Sequence, residues 1–350
     1  MKQLLNTLYV STEGAWLRLE GETLVVMIEK EKRLQAPLHH LGGIVCIGRI
    51  NLSSALMARC MKDGRCMKDG RSIVWLNENG RFQARVEGPV SGNILLRQAQ
   101  HRAADDLECV LTMARSFVAG KLRNSRQVLL RSSRDSKSDT EKDALKNAAA
   151  SLAVNLRNLE HAGQLDSIRG LEGDAARVYF GCFNDMLRPS LTDVFQFRTR
   201  NRRPPKDPVN ALLSFLYALL LTDCRSALET VGLDSQLGFL HAVRPGRHAL
   251  ALDLLEEFRA VFGDRLALTL INRGQITAKD FDYNPGGSVL LNDKGRKKLL
   301  IAYQERKKHE ITHPVLEQKV EIGLIPILQA RFLARHLRGD TDAYIPYLHK

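Results

Sequence analysis

The chain has 350 residues, of which 44% are hydrophobic and 26% are charged, so it can hold two domains and is not fibrous or largely disordered. Its 52 Lys and Arg residues outnumber its 39 acidic residues, and the net charge of +13 favours an anionic polymer as partner. The N-terminus lacks the apolar core of a secretory signal, and the most apolar stretch, residues 209–221, is shorter than the about 20 residues that span a bilayer.

Cysteine usage indicates a reducing compartment. The six cysteines are scattered and include no C-x-x-C pair, which fits free thiols better than disulfides or a zinc site. We therefore expect a cytoplasmic protein with no membrane partner, in which the cysteines are structural.

The first part of the chain, up to about Val86, has the pattern of short strands separated by glycines, which predicts a small β-rich domain. Residues 53–63 have helical composition and precede Gly64, so we expect one short helix before a strand at residues 72–76. The other predicted strand segments are residues 8–10, 15–19, 24–28 and 44–46.

A hexapeptide, CMKDGR, occurs twice in succession at residues 60–65 and 66–71. It is far too short for a structural repeat of the solenoid kind. We interpret the duplication as a lengthened loop between the helix and the following strand, without a catalytic role.

Turn-forming residues cluster at 88–93 and mark the predicted domain boundary. Beyond it, apolar residues recur at helical spacing, as in Leu111, Ala114 and Phe117. The predicted fold class is therefore α+β, with a β-rich domain at residues 1–93 and a larger all-α domain at residues 94–350. Short strands leave edges that a second copy can cover, so residues 1–93 are the expected homodimer contact.

Two local features refine the helical part. Residues 131–143 are polar without periodicity and are predicted to form a mobile surface turn between helices. Asp207 and Pro208 suit the N-cap and the first position of a helix over residues 209–221. That helix is apolar almost all round, so we expect it at the centre of the helical domain.

Ionisable residues stand among small or apolar neighbours in three segments. Glu172 is predicted in the first turn of a helix beginning near Gly170, where an acid can also simply complement the helix dipole. His241 ends an irregular apolar stretch; it is either a ligand or a buried core histidine, and His248 is its rival.

The third segment, residues 249–259, is strongly helical. Asp253 with Glu256 at i,i+3, or with Glu257 at i,i+4, forms an acidic face that is either functional or merely solvated. Carboxylates plus one imidazole suit Mn²⁺ or Mg²⁺, and the imidazole favours manganese. Such an ion stabilises charge during phosphoryl transfer. Nucleotide-binding loops and a serine-hydrolase elbow are absent from the sequence.

A basic run at residues 197–206 precedes the central helix. Arginines beside a metal site can grip a phosphate backbone, although charge runs are often only solvated faces. The predicted DNA-binding residues are Arg198, Arg200, Arg202 and Arg203.

Four segments of the helical part occur in an informative order: GLEGDAARVYF at 170–180, RPPKDPVNALLS at 203–214, GFLH at 238–241 and ALDLLEEFR at 251–259. Together with LLNTLYV at 4–10 and ENGRF at 78–82, they resemble the CRISPR-associated endonuclease/integrase family of the spacer-acquisition module. The resemblance covers nearly the whole chain and is closest to the branch of subtype I-C systems. The duplicated hexapeptide is the one departure.

The resemblance implies a β-rich N-terminal homodimerisation domain and a helical catalytic domain with one divalent ion. It places Glu172, His241 and Glu256 on the family's metal ligands and Asp253 on a neighbouring acidic catalytic position. It also implies a small ferredoxin-like CRISPR adaptation partner, and joining of the 3′-hydroxyl ends of a duplex protospacer into the CRISPR repeat. The alternatives are a metal-dependent nuclease on branched DNA and a non-catalytic DNA-binding scaffold.

Overall fold

The computed structural model describes residues 6–62, 72–78, 80, 82–86 and 94–349. Strands dominate as far as Val86 and helices dominate from Ile94 onward, which confirms the predicted α+β class. Most of the duplicated hexapeptide and the predicted boundary at residues 88–93 lie outside the described residues. The predicted helix at 53–63 is present as α1 (Ser54–Lys62).

Two four-stranded sheets make up the N-terminal part. The first has the strand order β1-β5-β7-β8, with parallel pairing except between β7 and β8, and the second has the order β4-β3-β2-β6. The strands are β1 (Asn6–Val10), β2 (Trp16–Glu20), β3 (Thr23–Ile28), β4 (Glu31–Pro37), β5 (Leu41–Ile47), β6 (Asn51–Leu52), β7 (Ser72–Leu76) and β8 (Phe82–Val86).

Strand β5 is buried on both faces and joins two hydrophobic cores. Because side chains alternate along a strand, Ile44 and Cys46 face the core between the sheets, whereas Val45 and Ile47 face the helices. A buried ion pair adds to this contact: Arg85 Nη1 on β8 lies 2.6 Å from Glu229 Oε2 in the helical part.

Helices dominate the second part of the chain. They are α2 (Ile94–Asp105), α3 (Leu107–Asp135), α4 (Asp139–Glu160), α5 (Leu165–Gly181), α6 (Pro208–Thr230), α7 (Ala249–Glu256), α8 (Arg265–Asn272), α9 (Asp293–Lys308) and α10 (Ile325–Leu337). Two short antiparallel strand pairs accompany them, although the sequence predicts an all-α domain here. They were not predicted because three-residue strands are too short for a visible alternation in the sequence. These are β9 (Phe281–Tyr283) with β10 (Val289–Leu291), and β11 (Glu310–Thr312) with β12 (Lys319–Glu321).

The predicted surface turn between helices is present, but it spans only residues 136–138 and not the predicted 131–143. Helix α3 continues to Asp135, and α4 begins at Asp139 with the Ser138 side chain accepting a hydrogen bond from the backbone N–H of Glu141. A cap of this kind and acidic residues in the first turn stabilise a helix even where the sequence is polar.

Helix α6 begins as predicted. The Asp207 side chain accepts a hydrogen bond of 2.8 Å from the backbone N–H of Asn210, and Pro208 occupies the first position. By length and composition α6 could cross a membrane, but 61% of its most apolar 18-residue window is buried inside the protein. It is a central core helix, packed against α7 and α10.

The C-terminal residues return to α3. Asn124 Nδ2 donates hydrogen bonds to the carbonyl oxygens of Glu257 (2.7 Å) and Tyr347 (2.8 Å), and Asn124 Oδ1 accepts one from the backbone N–H of His349. A side chain at Gly120 would approach Pro346 to 2.9 Å. The end of the chain is therefore packed closely against the middle of α3.

Candidate active site

Asp253, fully buried on α7, organises the turn that carries His241. Its Oδ2 accepts hydrogen bonds from the backbone N–H groups of Phe239 (2.6 Å) and Leu240 (3.0 Å). Its Oδ1 accepts one from the backbone N–H of His241 (2.9 Å) and lies 2.7 Å from Nδ1 of the same residue. Because a carboxylate accepts, Nδ1 carries the proton, and Nε2 is left with its lone pair for a ligand.

Gly238 permits this turn to lie against α7. A Cβ atom at this position would stand 2.7 Å from both Asp253 Oδ2 and the carbonyl carbon of Ala249. Real Cβ atoms do not approach backbone this closely, so glycine is required for Asp253 to reach the turn.

Glu256 lies one helical turn after Asp253 and is buried among cations. Lys121 Nζ is 2.6 Å from its Oε2, and Arg259 Nη2 is 3.1 Å from its Oε1, which is also 3.8 Å from His241 Nε2. Burial raises the pKa of this carboxyl, but Arg259, Lys121 and His241 outweigh burial and hold the pKa well below its usual value. Glu256 is therefore an anion at neutral pH.

Glu172 approaches from α5 and pairs with the same ammonium group, that of Lys121. The prediction that Glu172 lies in a first helical turn is wrong, because α5 begins at Leu165 and places it in the middle of the helix. Complementing the helix dipole is therefore not its role. The structure brings Glu172, His241 and Glu256 together from three separate segments.

The donor set suits Mn²⁺ or Mg²⁺, since it offers two carboxylates and one imidazole Nε2. Within the described parts of the chain, no three His, Cys, Asp or Glu side chains already form a group that could hold a metal ion. The Lys121 ammonium contacts both Glu172 and Glu256. A position that a buried cation occupies between two carboxylates fits a metal ion once that ammonium leaves.

The two rival residues face elsewhere. Glu257 accepts hydrogen bonds from the Tyr344 hydroxyl and the Tyr347 backbone N–H, and burial raises the pKa of its carboxyl to about 8. His248 Nδ1 lies 2.9 Å from Ser235 Oγ, and burial lowers its pKa. The face of α7 that meets His241 is thus the i,i+3 pair, Asp253 and Glu256.

A π-helical segment, Arg259–Asp264, follows α7 after a turn at Glu257 and Phe258. It turns Arg259 onto Glu256 and over the ring of Tyr217, at 4.8 Å from the centroid. The Tyr217 hydroxyl donates a 2.6 Å hydrogen bond to Asp264 Oδ1. Single π-helical turns often occur at functional sites, because they re-aim a side chain within a continuous helix.

A cavity of about 350 Å³ opens beside these residues. Glu172 and His241 line it together with Arg169, Arg244 and Arg247. The sequence reasoning missed these three arginines as well as Lys121. Arg244 and Arg247 follow His241 closely enough to have been found, whereas Lys121 has no distinguishing neighbours in α3.

The predicted DNA-binding arginines divide into two groups. Arg198, Arg202 and Arg203 are exposed. Arg200 instead donates a 2.6 Å hydrogen bond to Asn210 Oδ1 and lies over the ring of Tyr217, so its guanidinium is engaged inside the protein. Partial burial, and then the neighbouring Arg203, Arg259 and Arg247, lower the pKa of Arg202. Arg202 therefore lies near Arg247, which lines the cavity, and near Arg259, which contacts Glu256.

Comparison with known proteins agrees with this arrangement. Residues 8–305 match the family described as CRISPR associated protein Cas1. The chain is 52% identical over its full length to the full length of the CRISPR-associated endonuclease Cas1 1 of Moorella thermoacetica.

Two solved structures share the fold. A casposase bound to integration product has a TM-score of 0.82 and 22% identity, covering 99% of this chain and 95% of its own. A Cas6-RT-Cas1–Cas2 complex has a TM-score of 0.81 and 22% identity, covering 99% of this chain and 36% of its own. With a family match over most of its length and a full-length relative at 52% identity, the chain belongs to the Cas1 family of CRISPR-associated proteins.

Proposed function

We propose that the protein is the integrase of CRISPR adaptation, which joins the 3′-hydroxyl ends of a captured DNA duplex into the CRISPR repeat by metal-dependent phosphoryl transfer. One observation carries this proposal: Glu172 and Glu256 converge on the buried Lys121 ammonium, and His241 Nε2 lies 3.8 Å from Glu256 Oε1, beside an arginine-lined cavity. A DNA-binding scaffold would not need such a cluster. The name of the full-length relative, an endonuclease, supports a nucleic-acid enzyme.

The acidic cluster divides into ligands and positioning groups. Glu172, His241 and Glu256 would hold the divalent ion, Mn²⁺ or Mg²⁺, which stabilises the charge on a phosphate and on the attacking or leaving oxygen. Asp253 fixes the orientation and the tautomer of His241. Arg259 holds the Glu256 carboxylate by its 3.1 Å contact.

The cavity arginines and the exposed basic run would bind the DNA. Arg244 and Arg247 line the cavity beside His241, where they would contact a bound phosphate. Guanidinium groups bind phosphate oxygens in pairs of hydrogen bonds. Arg202 and Arg203 extend the same positive surface. We expect duplex protospacer and repeat DNA to bind there with little dependence on sequence.

The assembly proposal has two parts. Residues 1–93 form the homodimer contact and residues 94–350 form the catalytic part, while the Cas1–Cas2 complex of similar fold supports Cas2 as partner. Support for dimerisation comes from the edge strand β4, whose residues are mostly exposed and include Leu34 at 42% exposure. Light scattering on the full chain tests it: we expect a dimer that Leu34→Glu weakens, and a monomeric wild type would contradict it.

We also propose that the protein acts in the cytoplasm. Cys46, Cys109, Cys182 and Cys224 form no disulfide, as a reducing compartment requires. Burial raises the pKa of the Cys46 thiol to about 12, so that thiol is not reactive at neutral pH.

The test of function is strand joining. Purified protein, a short duplex with 3′-hydroxyl ends and supercoiled plasmid are incubated with Mn²⁺ or Mg²⁺, and covalent joining is measured on a denaturing gel. We expect Glu172→Gln, His241→Ala and Glu256→Gln each to abolish joining while circular dichroism shows a folded protein. Glu257→Gln, which changes the adjacent carboxyl that faces away, is the matched control and should join normally. Full joining by all three variants would show the assignment to be wrong, and plasmid cutting without joining would favour a nuclease.

A further inference from the structure

Lys121 is buried at the centre of the acidic cluster. Its Nζ pairs with Glu172 and lies 2.6 Å from Glu256 Oε2, so it connects α5 and α7 through α3. Two of the proposed metal ligands therefore already share one positive charge.

The charges around Lys121 nearly balance. Glu172, Asp253 and Glu256 contribute three negative charges if ionised, and Lys121 and Arg259 contribute two positive charges. Without Lys121, Glu172 and the buried Glu256 would face each other with less compensation, and an uncompensated buried charge is strongly destabilising. Lys121 thus stabilises the arrangement of the carboxylates when no metal is bound.

A divalent ion and the ammonium would compete for these two carboxylates. An ion held by the same carboxylates would lie close to an ammonium that is 2.6 Å from Glu256 Oε2. Like charges a few ångströms apart in a partly buried site repel strongly. Binding of the ion would therefore favour movement of the Lys121 side chain away from at least one carboxylate.

We propose that Lys121 is a positioning residue that serves as a built-in counter-cation: it holds Glu172 and Glu256 together in the metal-free protein, competes with the divalent ion, and is displaced when the ion binds. This inference rests on the proposed metal site. According to this inference, Lys121 sets the affinity of the site for the metal ion. It also explains how two carboxylates, one of them buried, stay close together before loading.

The experiment is a Mn²⁺ titration of the full-length protein. Binding is measured by isothermal calorimetry and by the electron paramagnetic resonance signal of free Mn²⁺. Lys121→Met keeps the length of the side chain and removes its charge, so Mn²⁺ should bind about tenfold more tightly than to wild type. Lys121→Arg restores a cation and should restore an affinity near that of wild type. An unchanged or weaker affinity in Lys121→Met would overturn the inference.

Lys307→Met is the matched control. Lys307 is also buried and pairs with a carboxylate, Asp223, at 3.0 Å. This ion pair does not involve any of the proposed metal ligands. Both variants should lower the melting temperature in EDTA, and only Lys121→Met should bind Mn²⁺ more tightly. Saturating Mn²⁺ should then raise the melting temperature of Lys121→Met more than that of wild type. Equal tightening in both variants would show a general effect of lost charge and contradict the specific role of Lys121.

Two further measurements separate this inference from the function on which it rests. If His241→Ala and Glu256→Gln bind Mn²⁺ as wild type does, the metal site is wrong and the inference falls with it. If these two variants lose Mn²⁺ binding while Lys121→Met binds Mn²⁺ no more tightly than wild type, only the inference about Lys121 is wrong. Should Lys121→Met fail to fold, a crystal structure of the wild type with Mn²⁺ decides. We expect Nζ more than about 4 Å from one carboxylate or both, and a bridging Nζ would refute displacement.

Discussion

Replacing Asp253 by Asn should uncouple His241 from α7 without changing the size of the side chain. The Asn carbonyl oxygen will face the Phe239 and Leu240 N–H groups, because an amide nitrogen there would oppose two fixed donors. The amide N–H₂ then faces His241, whose Nδ1 must become an acceptor. The ring proton consequently moves to Nε2, and the lone pair that would bind the metal is lost.

The contacts give the magnitude. Asp253 is fully buried and makes four polar contacts with the turn, of which the variant keeps about two. Hydrogen bonds to a charged group contribute about 1.5 to 3 kcal/mol each, so we expect a loss of roughly 3 kcal/mol in the free energy of unfolding. Loss of the group that orients a ligand histidine lowers metal affinity by about 10- to 100-fold.

Urea unfolding and Mn²⁺ titration of the same preparations measure both effects. Glu257→Gln is the control, because Glu257 is equally buried but faces Tyr344, and its raised pKa of about 8 makes it largely neutral at pH 7. That variant should retain wild-type Mn²⁺ affinity. The reasoning is refuted if Asp253→Asn binds Mn²⁺ as tightly as wild type while remaining folded.

Three other predictions follow from single contacts. Gly238→Ala should destabilise the fold by about 1 to 3 kcal/mol in urea unfolding, since its Cβ would stand 2.7 Å from Asp253 Oδ2; Gly170→Ala, with open space at its Cβ, should stabilise α5 by about 1 kcal/mol, and equal effects would contradict this account. Arg202→Ala with Arg203→Ala should weaken binding to unrelated duplexes alike and reduce the salt slope by about 2, measured by fluorescence anisotropy. Burial raises the pKa of Asp264 from 3.8 to about 6, so the stability from its protonated form is present below about pH 4 and lost as pH rises through 6. Between pH 4 and pH 7 the wild type should therefore lose about 2 kcal/mol relative to Asp264→Asn, and parallel pH profiles would argue against this.

Local chemistry made part of the fold predictable. Asp207 and Pro208 begin α6 as expected, because capping depends on residues adjacent in sequence. The start of α5 was missed for the same reason: its N-cap residue, Gln164, makes no side-chain cap hydrogen bond, and the glycines at 170 and 173 were a stronger local signal. That error moved Glu172 from the middle of a helix to its first turn.

The site required tertiary information. Spacing on a helix allows Asp253 to share a face with either Glu256 or Glu257, and only packing against Tyr344 and the C-terminal residues turns Glu257 away. Lys121 comes from a helix far from the acids in sequence, and an isolated lysine on an amphipathic helix has no local mark of function.

The return of the C-terminal residues to α3 has a consequence for synthesis. Asn124 and the backbone of Tyr347 are 223 positions apart, yet their hydrogen bond lies on the helix that carries Lys121. Until residues 344–349 have been synthesised, α3 and the Glu257 carboxyl lack these partners, because contacts so distant in sequence form only after both segments have emerged from the exit tunnel. The contacts that hold α3 beside the acidic cluster are therefore completed late in the folding of the nascent protein.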